Sequence, residues 1–295
     1  FRRDGSSKLS PDTRWGNFWS VAGSWRINNE NFMKDIDWLS SLRLRASYGV
    51  NGTLPTDNYG WRALTSYTYN YRENPGAALS NTVNEGLSWE TSYTYNVALE
   101  FGLFDQRITG TVEYFNRDSK DLLQDVPIST VTGFSSTLQN IGEINNKGFE
   151  IELSGDIIKG NDFNWSAGLT ASLIKSKVVE LYDGEDINWY DPTGTDSRVD
   201  YIYREGEAVL SVYGYEWAGV NPETGAGMWW KKDAETGEWR KTSDYKNDTS
   251  GDVDSRKLMG CTQAKVFGGF GTTLYAYGFD FSIAFDYQLG GKTID

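Results

Sequence analysis

The chain has 295 residues, 28 basic against 41 acidic, and a net charge of −13. Such acidity excludes nucleic acid as a partner, because tracking a phosphate backbone needs a basic patch. There is no histidine and only one cysteine, Cys261, which excludes Ser-His-Asp and Cys-His catalysis, histidine-containing zinc sites and an internal disulfide.

From Asn17 to Ile27 the residues alternate, with Trp19, Val21, Trp25 and Ile27 on one face and Ser20, Ala22, Ser24 and Arg26 on the other. A period of two is a strand period. Asn28 to Ser41 reads as a short connection, with a helical turn over Asn31 to Leu39. Leu42 to Asn51 returns as a strand with Leu42, Leu44, Ala46, Tyr48 and Val50 opposite Arg43, Arg45, Ser47 and Gly49. Charges are costly in a dry core, so Arg26, Arg43 and Arg45 favour a wet interior. Gly52 to Gly86 reads as a long loop in which Tyr67, Tyr69 and Tyr71 extend a strand.

The stretch from Trp89 to Phe115 carries the strongest pattern. Trp89, Tyr93, Tyr95, Val97, Leu99 and Phe101 share one face, and Glu90, Ser92, Asn96 and Glu100 the other. After a turn at Leu103 to Gln106 the alternation resumes with Ile108, Val112 and Tyr114 against Thr109, Thr111 and Glu113. Placing Phe101 opposite Ile108, and hence Val97 opposite Val112, makes the apolar faces coincide, as a paired antiparallel hairpin requires. Asp118 to Asn146 reads as a second long loop. Gly148 to Ile157 and Phe163 to Leu173 form the next pair around Lys159-Gly160-Asn161, where a positive φ is expected at Gly160.

Val178 to Thr262 is the longest irregular region, with a hairpin expected between Val212–Val220 and Gly227–Lys231. Val266 to Ala276 then pairs with Phe279 to Leu289 across Tyr277-Gly278, setting Leu274 on Phe281 and Phe270 on Phe285.

These limbs are longer than the roughly five or six residues of a globular strand and match the roughly nine to eleven of a membrane-spanning one. No apolar run reaches the roughly 18 residues of a membrane helix. The mean hydropathy of −0.55 does not argue against a barrel, because alternating strands escape an average. Connections alternate short and long, as in outer-membrane barrels. The fold class read from this is all-β: an antiparallel transmembrane β-barrel, partial, of about eight spanning strands with long extracellular loops.

Two expectations follow from the parity. Arg26, Arg43, Arg45, Glu100, Glu113, Glu150 and Glu152 face the lumen, and Val97, Leu99, Val112, Leu153, Leu169, Ile283 and Phe285 face lipid. Trp19, Trp89 and Tyr93 mark the outer rim of the apolar band, and Trp25, Phe101, Phe163 and Phe279 the inner rim. Phe1 is not a start residue and Asp295 directly follows a strand pattern, so the chain reads as an internal piece of a longer protein.

Ordered motifs along nearly the whole chain resemble the SusC/RagA family of TonB-dependent outer-membrane transporters. They are Arg3-Asp4-Gly5-Ser6-Ser7 with Arg14-Trp15-Gly16, Trp38-Leu39 through Leu42-Arg43-Leu44-Arg45-Ala46-Ser47-Tyr48-Gly49, and Leu87-Ser88-Trp89-Glu90-Thr91. Asn140-Ile141-Gly142-Glu143 through Lys147-Gly148-Phe149-Glu150, Tyr215-Glu216-Trp217-Ala218-Gly219-Val220 with Pro222-Glu223-Thr224-Gly225, and Phe267-Gly268-Gly269-Phe270-Gly271-Thr272-Thr273-Leu274 complete the set. Gly260-Cys261-Thr262-Gln263-Ala264 departs from the family's proline-containing pattern.

The resemblance implies residues 1–295 of a barrel of about 22 strands, with the plug, the N-terminal extension and the last strands outside them. It implies multi-pass residence in the outer membrane, contact with its lipid, and import of oligosaccharides or peptides. Its partners would be a SusD-like surface lipoprotein, and TonB-ExbB-ExbD acting through the missing parts. It implies no catalysis and no cofactor. Candidate substrate contacts are the loop aromatics Trp61, Trp189, Tyr190, Trp229, Trp230 and Trp239, because sugar C–H faces suit aromatic platforms; packing of the loops or of the lid is the alternative. The oxygens of two acidic clusters, Asp183/Glu185/Asp186 and Asp248/Asp252/Asp254, would suit calcium, but the spacing lacks an EF-hand pattern and solvated acidic loops are the preferred reading. A passive porin, a surface adhesin and a carboxylate-based hydrolase are the competing functions.

Overall fold

The computed structural model describes residues 1–189, 199–233, 235–243 and 255–292. Its strands, in chain order, are β1 (Arg2–Gly5), β2 (Trp15–Arg26), β3 (Leu39–Thr53), β4 (Thr65–Tyr71), β5 (Asn74–Leu79), β6 (Glu90–Leu103), β7 (Ile108–Pro127), β8 (Ser136–Lys159) and β9 (Phe163–Glu180). There follow β10 (Ile187–Trp189), β11 (Val199–Tyr203), β12 (Ser211–Gly214), β13 (Trp217–Val220), β14 (Gly227–Lys232), β15 (Trp239–Thr242), β16 (Lys257–Cys261), β17 (Val266–Ala276) and β18 (Phe279–Leu289). A nine-stranded antiparallel sheet in the order β1-β2-β3-β6-β7-β8-β9-β17-β18 forms the body. It does not close on itself, consistent with part of a barrel wall.

Alternation becomes architecture through the register. One set of cross-strand rows is apolar: Trp25, Leu44, Leu99, Val112, Ile151 and Ala171 lie side by side, as do Leu153, Leu169, Phe270 and Phe285. The next set along the strands is polar, and pleating puts it on the opposite face. Among the described residues, no second layer covers the apolar rows. Val97, Leu99, Leu169, Ile283 and Phe285 are 38–47% exposed, and Val112 and Leu153 are half-buried. Among the described residues, the buried apolar cluster is Leu9, Trp61 and Leu87, backed by Leu54, Trp89, Leu123 and Leu138, and it belongs to the loop end. Trp89 is part of that packing: its ring meets Phe18 edge-on at 5.2 Å and its Nε1 donates to Arg14 O at 3.2 Å. On β9 the apolar stripe runs from Phe163 to Leu173. At ~3.3 Å per residue and a tilt of about 40° that stripe stands about 25 Å high, the height of an outer-membrane apolar band.

Six expectations are corrected. The β6–β7 hairpin pairs Leu103 with Ile108, Leu99 with Val112 and Val97 with Tyr114, two residues away from the register read from sequence. The cause is the turn, Phe104–Arg107, in which Phe104, Asp105 and Gln106 are all left-handed (φ 53, 55 and 62), so β6 continues through Leu103. A slip of two preserves every face, whereas a slip of one would have inverted them. Second, most of Asp118 to Asn146 is strand rather than loop: β7 and β8 continue past the apolar band as a projecting hairpin, and only Ile128–Ser135 connects them. Third, Gly160 is not among the positive-φ residues; its N–H donates to Phe163 O and Asn164 Oδ1, both at 3.0 Å. Fourth, the hairpin in the irregular region joins β13 to β14, while Val212 belongs to β12 in a separate sheet with β10, β11 and β16. Tyr67, Tyr69 and Tyr71 likewise sit in a separate two-stranded sheet, β4–β5. Within the expected turn over Asn31–Leu39 there is one 3₁₀ turn, Asn31–Met33, and another, Ile27–Asn29, precedes it. The β17–β18 register stands as read.

Candidate functional site

Two surfaces carry chemistry. The first is the polar face of the wall. Arg26, Arg43, Glu100, Thr111, Glu152 and Thr170 form one continuous cross-strand row, and Ser24, Arg45, Ala98, Glu113, Glu150 and Ser172 the next. All seven charged residues expected in the lumen therefore share one face. Arg43 Nε lies 2.6 Å from Glu100 Oε2, Arg45 Nη2 lies 2.9 Å from Glu113 Oε2, and Arg45 Nε reaches Glu100 Oε1 at 3.6 Å. Asn96 Nδ2 donates to the other oxygen of Glu113 at 2.9 Å. Glu113 and Glu150 are directly opposed. Glu113 is nevertheless committed to Arg45 and Asn96. Between these groups, Thr94, Asn96, Glu113, Phe115, Arg117, Asn146 and Glu150 line a recess of about 270 Å³.

The second surface is the loop end. Trp61 is only 9% exposed; it packs on Leu9 and Leu87, and the Arg62 guanidinium lies 4.5 Å from its ring centre. Its rings are thus occupied by the fold. Trp229, Trp230 and Trp239 meet in the β13-β14-β15 sheet but not on one face. Trp229 stands edge-on to Trp217 at 5.3 Å. Trp230 and Trp239 are on the other face, where Lys241 Nζ lies 5.1 Å from Trp230 and Lys257 Nζ lies 3.9 Å from Trp239. Lys257 also pairs with Glu216 at 2.7 Å. Trp189 is described only by its position in β10, and Tyr190 lies outside the described residues.

Sequence reasoning did not select Trp217, which is 55% exposed. Its place opposite Trp229 across the Asn221–Ala226 turn was the available signal. Nor did it find a polar recess of about 490 Å³ between the loop before β6 and the β7–β8 hairpin, walled by Asp57, Asn81, Asn84, Asp125, Thr137 and Leu138 among others. The acidic cluster at Asp186 is engaged: Arg204 grips both carboxylate oxygens, at 2.6–3.0 Å, and that hydrogen-bonded pairing raises the guanidinium pKa. Asp248, Asp252 and Asp254 lie outside the described residues.

The family described as "TonB dependent receptor-like, beta-barrel" matches residues 1–293. The TonB-dependent receptor P3 of Formosa agariphila is 34% identical over 303 residues, covering 100% of this chain and 30% of the relative. The TonB-dependent receptor SusC of Bacteroides thetaiotaomicron is 33% identical over 229 residues, 73% of this chain and 23% of the relative. Among solved structures, the RagAB peptide transporter superposes with a TM-score of 0.79 at 29% identity over 96% of this chain and 30% of that one. The "open-open" state of the RagAB peptide importer does so with 0.81 at 28% identity, over 98% and 30%. Residues 1–295 thus span less than a third of the length of these relatives. The chain belongs to the TonB-dependent receptor β-barrel family, and within it to the SusC and RagA type.

Proposed function

We propose that this chain is part of the barrel wall of an outer-membrane importer for oligosaccharides or peptides. The wall crosses the membrane repeatedly, TonB-ExbB-ExbD energises transport through segments outside residues 1–295, and a SusD-like lipoprotein covers the loop end. The observation that supports it best is the two-faced sheet. Eight long strands set an uncovered apolar face against a charged, hydrogen-bonded one, which suits a wall with lipid on one side and a wet lumen on the other. We assign substrate or lid contact to Trp217, Trp229, Trp230 and Trp239, and a packing role to Trp61.

The test is uptake by cells expressing the full-length receptor, with fluorescent oligosaccharide and peptide pools as separate arms, with and without TonB. Import of one pool that needs TonB and falls at least tenfold in W217A/W229A supports the reading. Uptake indifferent to TonB would make the protein a passive pore, and uptake of neither pool would refute the substrate class.

A further inference from the structure

On the lipid-facing parity of β8 and β9, the first residues beyond the apolar band are lysines. Lys147 lies directly opposite Lys175, and Lys177 follows two residues on, opposite Asn145. No register shift interrupts β8 between Ile144 and Asp156, so Lys147 shares its face with Phe149, Ile151 and Leu153. Phe149 and Leu173, immediately below, are 49% and 40% exposed. Like charges directly opposed across strands destabilise a sheet. Here all three lysines are exposed, and among the described residues none has a carboxylate within ion-pair distance. The nearby acids are occupied. Asp118 accepts from Asn116 Nδ2 at 3.0 Å and from Asn145 Nδ2 at 2.5 Å, and Glu143 pairs with Lys120 at 3.2 Å.

We infer that Lys147, Lys175 and Lys177 form a binding site for the phosphate-bearing headgroup of an outer-leaflet lipid, whose acyl chains lie on Phe149 and Leu173. The argument is charge complementarity in a fixed place. Three ammonium groups stand at the loop-end edge of an uncovered hydrocarbon-facing band, where chains and a headgroup must meet, and among the described residues no carboxylate is ion-paired with them. Lysine stems lie along apolar surface while their heads reach the interface, and each such charge strengthens anionic-lipid binding roughly fivefold. The site rests on the membrane-wall reading above.

The test uses the full-length receptor in neutral detergent, titrated by native mass spectrometry with lipid A, a doubly phosphorylated glycolipid, and with phosphatidylcholine. The K147Q/K175Q/K177Q variant should lose about 100-fold in lipid A affinity. K159Q, at the opposite end of β8, should lose nothing, and single Lys→Arg variants should keep wild-type binding. Undiminished lipid A binding by the triple variant, or equal binding of phosphatidylcholine by the wild type, would overturn the site. So would displacement of lipid A by millimolar inorganic phosphate, which would make it a plain anion site. Flotation with phosphatidylcholine vesicles separates the two readings. A wild-type receptor that does not float overturns the membrane wall itself, whereas normal flotation with unchanged lipid A affinity in the triple variant overturns the lysine site alone.

Discussion

Leu169 and Thr170 are adjacent in β9 and therefore within about 2.5 Å of the same depth, yet they point to opposite faces. Leu169 lies in a row with Leu153 and Phe270, while Thr170 lies beside Glu152 and Gly269. Replacing each by arginine asks which solvent each face meets. At Leu169, near the middle of the Phe163–Leu173 stripe, a guanidinium enters hydrocarbon at a cost of roughly 2–4 kcal/mol, a roughly 30- to 900-fold shift in the folding equilibrium. At Thr170 it enters a polar row with Glu152 next to it. The loss there is the threonine's exchange with Gly269, whose N–H donates to Oγ1 at 3.0 Å, worth about 1 kcal/mol. The assay is reversible guanidinium unfolding of the full-length receptor from lipid vesicles, read by heat-modifiable gel migration. Leu169→Arg should be the costlier by at least 1 kcal/mol. An equal or reversed order would refute the assignment of faces.

Gly148→Ala should abolish folding in the same assay, because a Cβ there collides with the backbone carbonyl oxygen of Leu173, which no rotamer change relieves. Gly168→Ala, whose nearest neighbour is Leu153 O at 3.6 Å, should be tolerated. Arg45→Ala should cost less than about 1 kcal/mol, since the arginine side chain is 48% exposed and water screens its pairs; a loss above 2 kcal/mol would mean that a drier lumen encloses it. Asp233 Oδ1 accepts from the N–H groups of Thr236 and Glu235, both at 3.0 Å, and these bonds lower its pKa. The turn between β14 and β15 is therefore fully held above the ordinary carboxylate range near ~3.9 and loosens as pH falls through the lower folded value. The Thr236 amide shift, followed by NMR against pH, should move below that range, and a midpoint above it would contradict the assignment.

The wall was legible in the sequence because each strand within the band has two solvents. Lipid on one side and water on the other force the alternation seen from Tyr93 to Phe101 and from Phe163 to Leu173. Above the band that contrast disappears. The outer parts of β7 and β8 carry Asp118, Ser119, Lys120, Gln139 and Asn140, and residues of that kind leave no period to read, so a strand there reads as a loop. Turn chemistry behaved similarly. Tyr277 and Gly278, at φ 51 and 91, form the two-residue left-handed turn that pins a hairpin register. The left-handed run Phe104-Asp105-Gln106 has no glycine to announce it. The site was the least legible part. A tryptophan that stacks under an arginine, as Trp61 does, and one left half-exposed, as Trp217 is, look alike in a sequence.

The pairing of β9 with β17 has an evolutionary consequence. Leu173 meets Val266 and Phe163 meets Ala276 in unbroken register, although everything between residues 181 and 265 intervenes. Doubling a flexible closed loop costs only ~0.6 kcal/mol, less than a typical buried hydrogen bond. The wall therefore does not record how much chain, or which chain, connects its strands. Whole sheets such as β13-β14-β15 can be lengthened, replaced or deleted between the same two wall strands without loss of the fold. Sequence change at the loop end can thus proceed while the wall stays as it is.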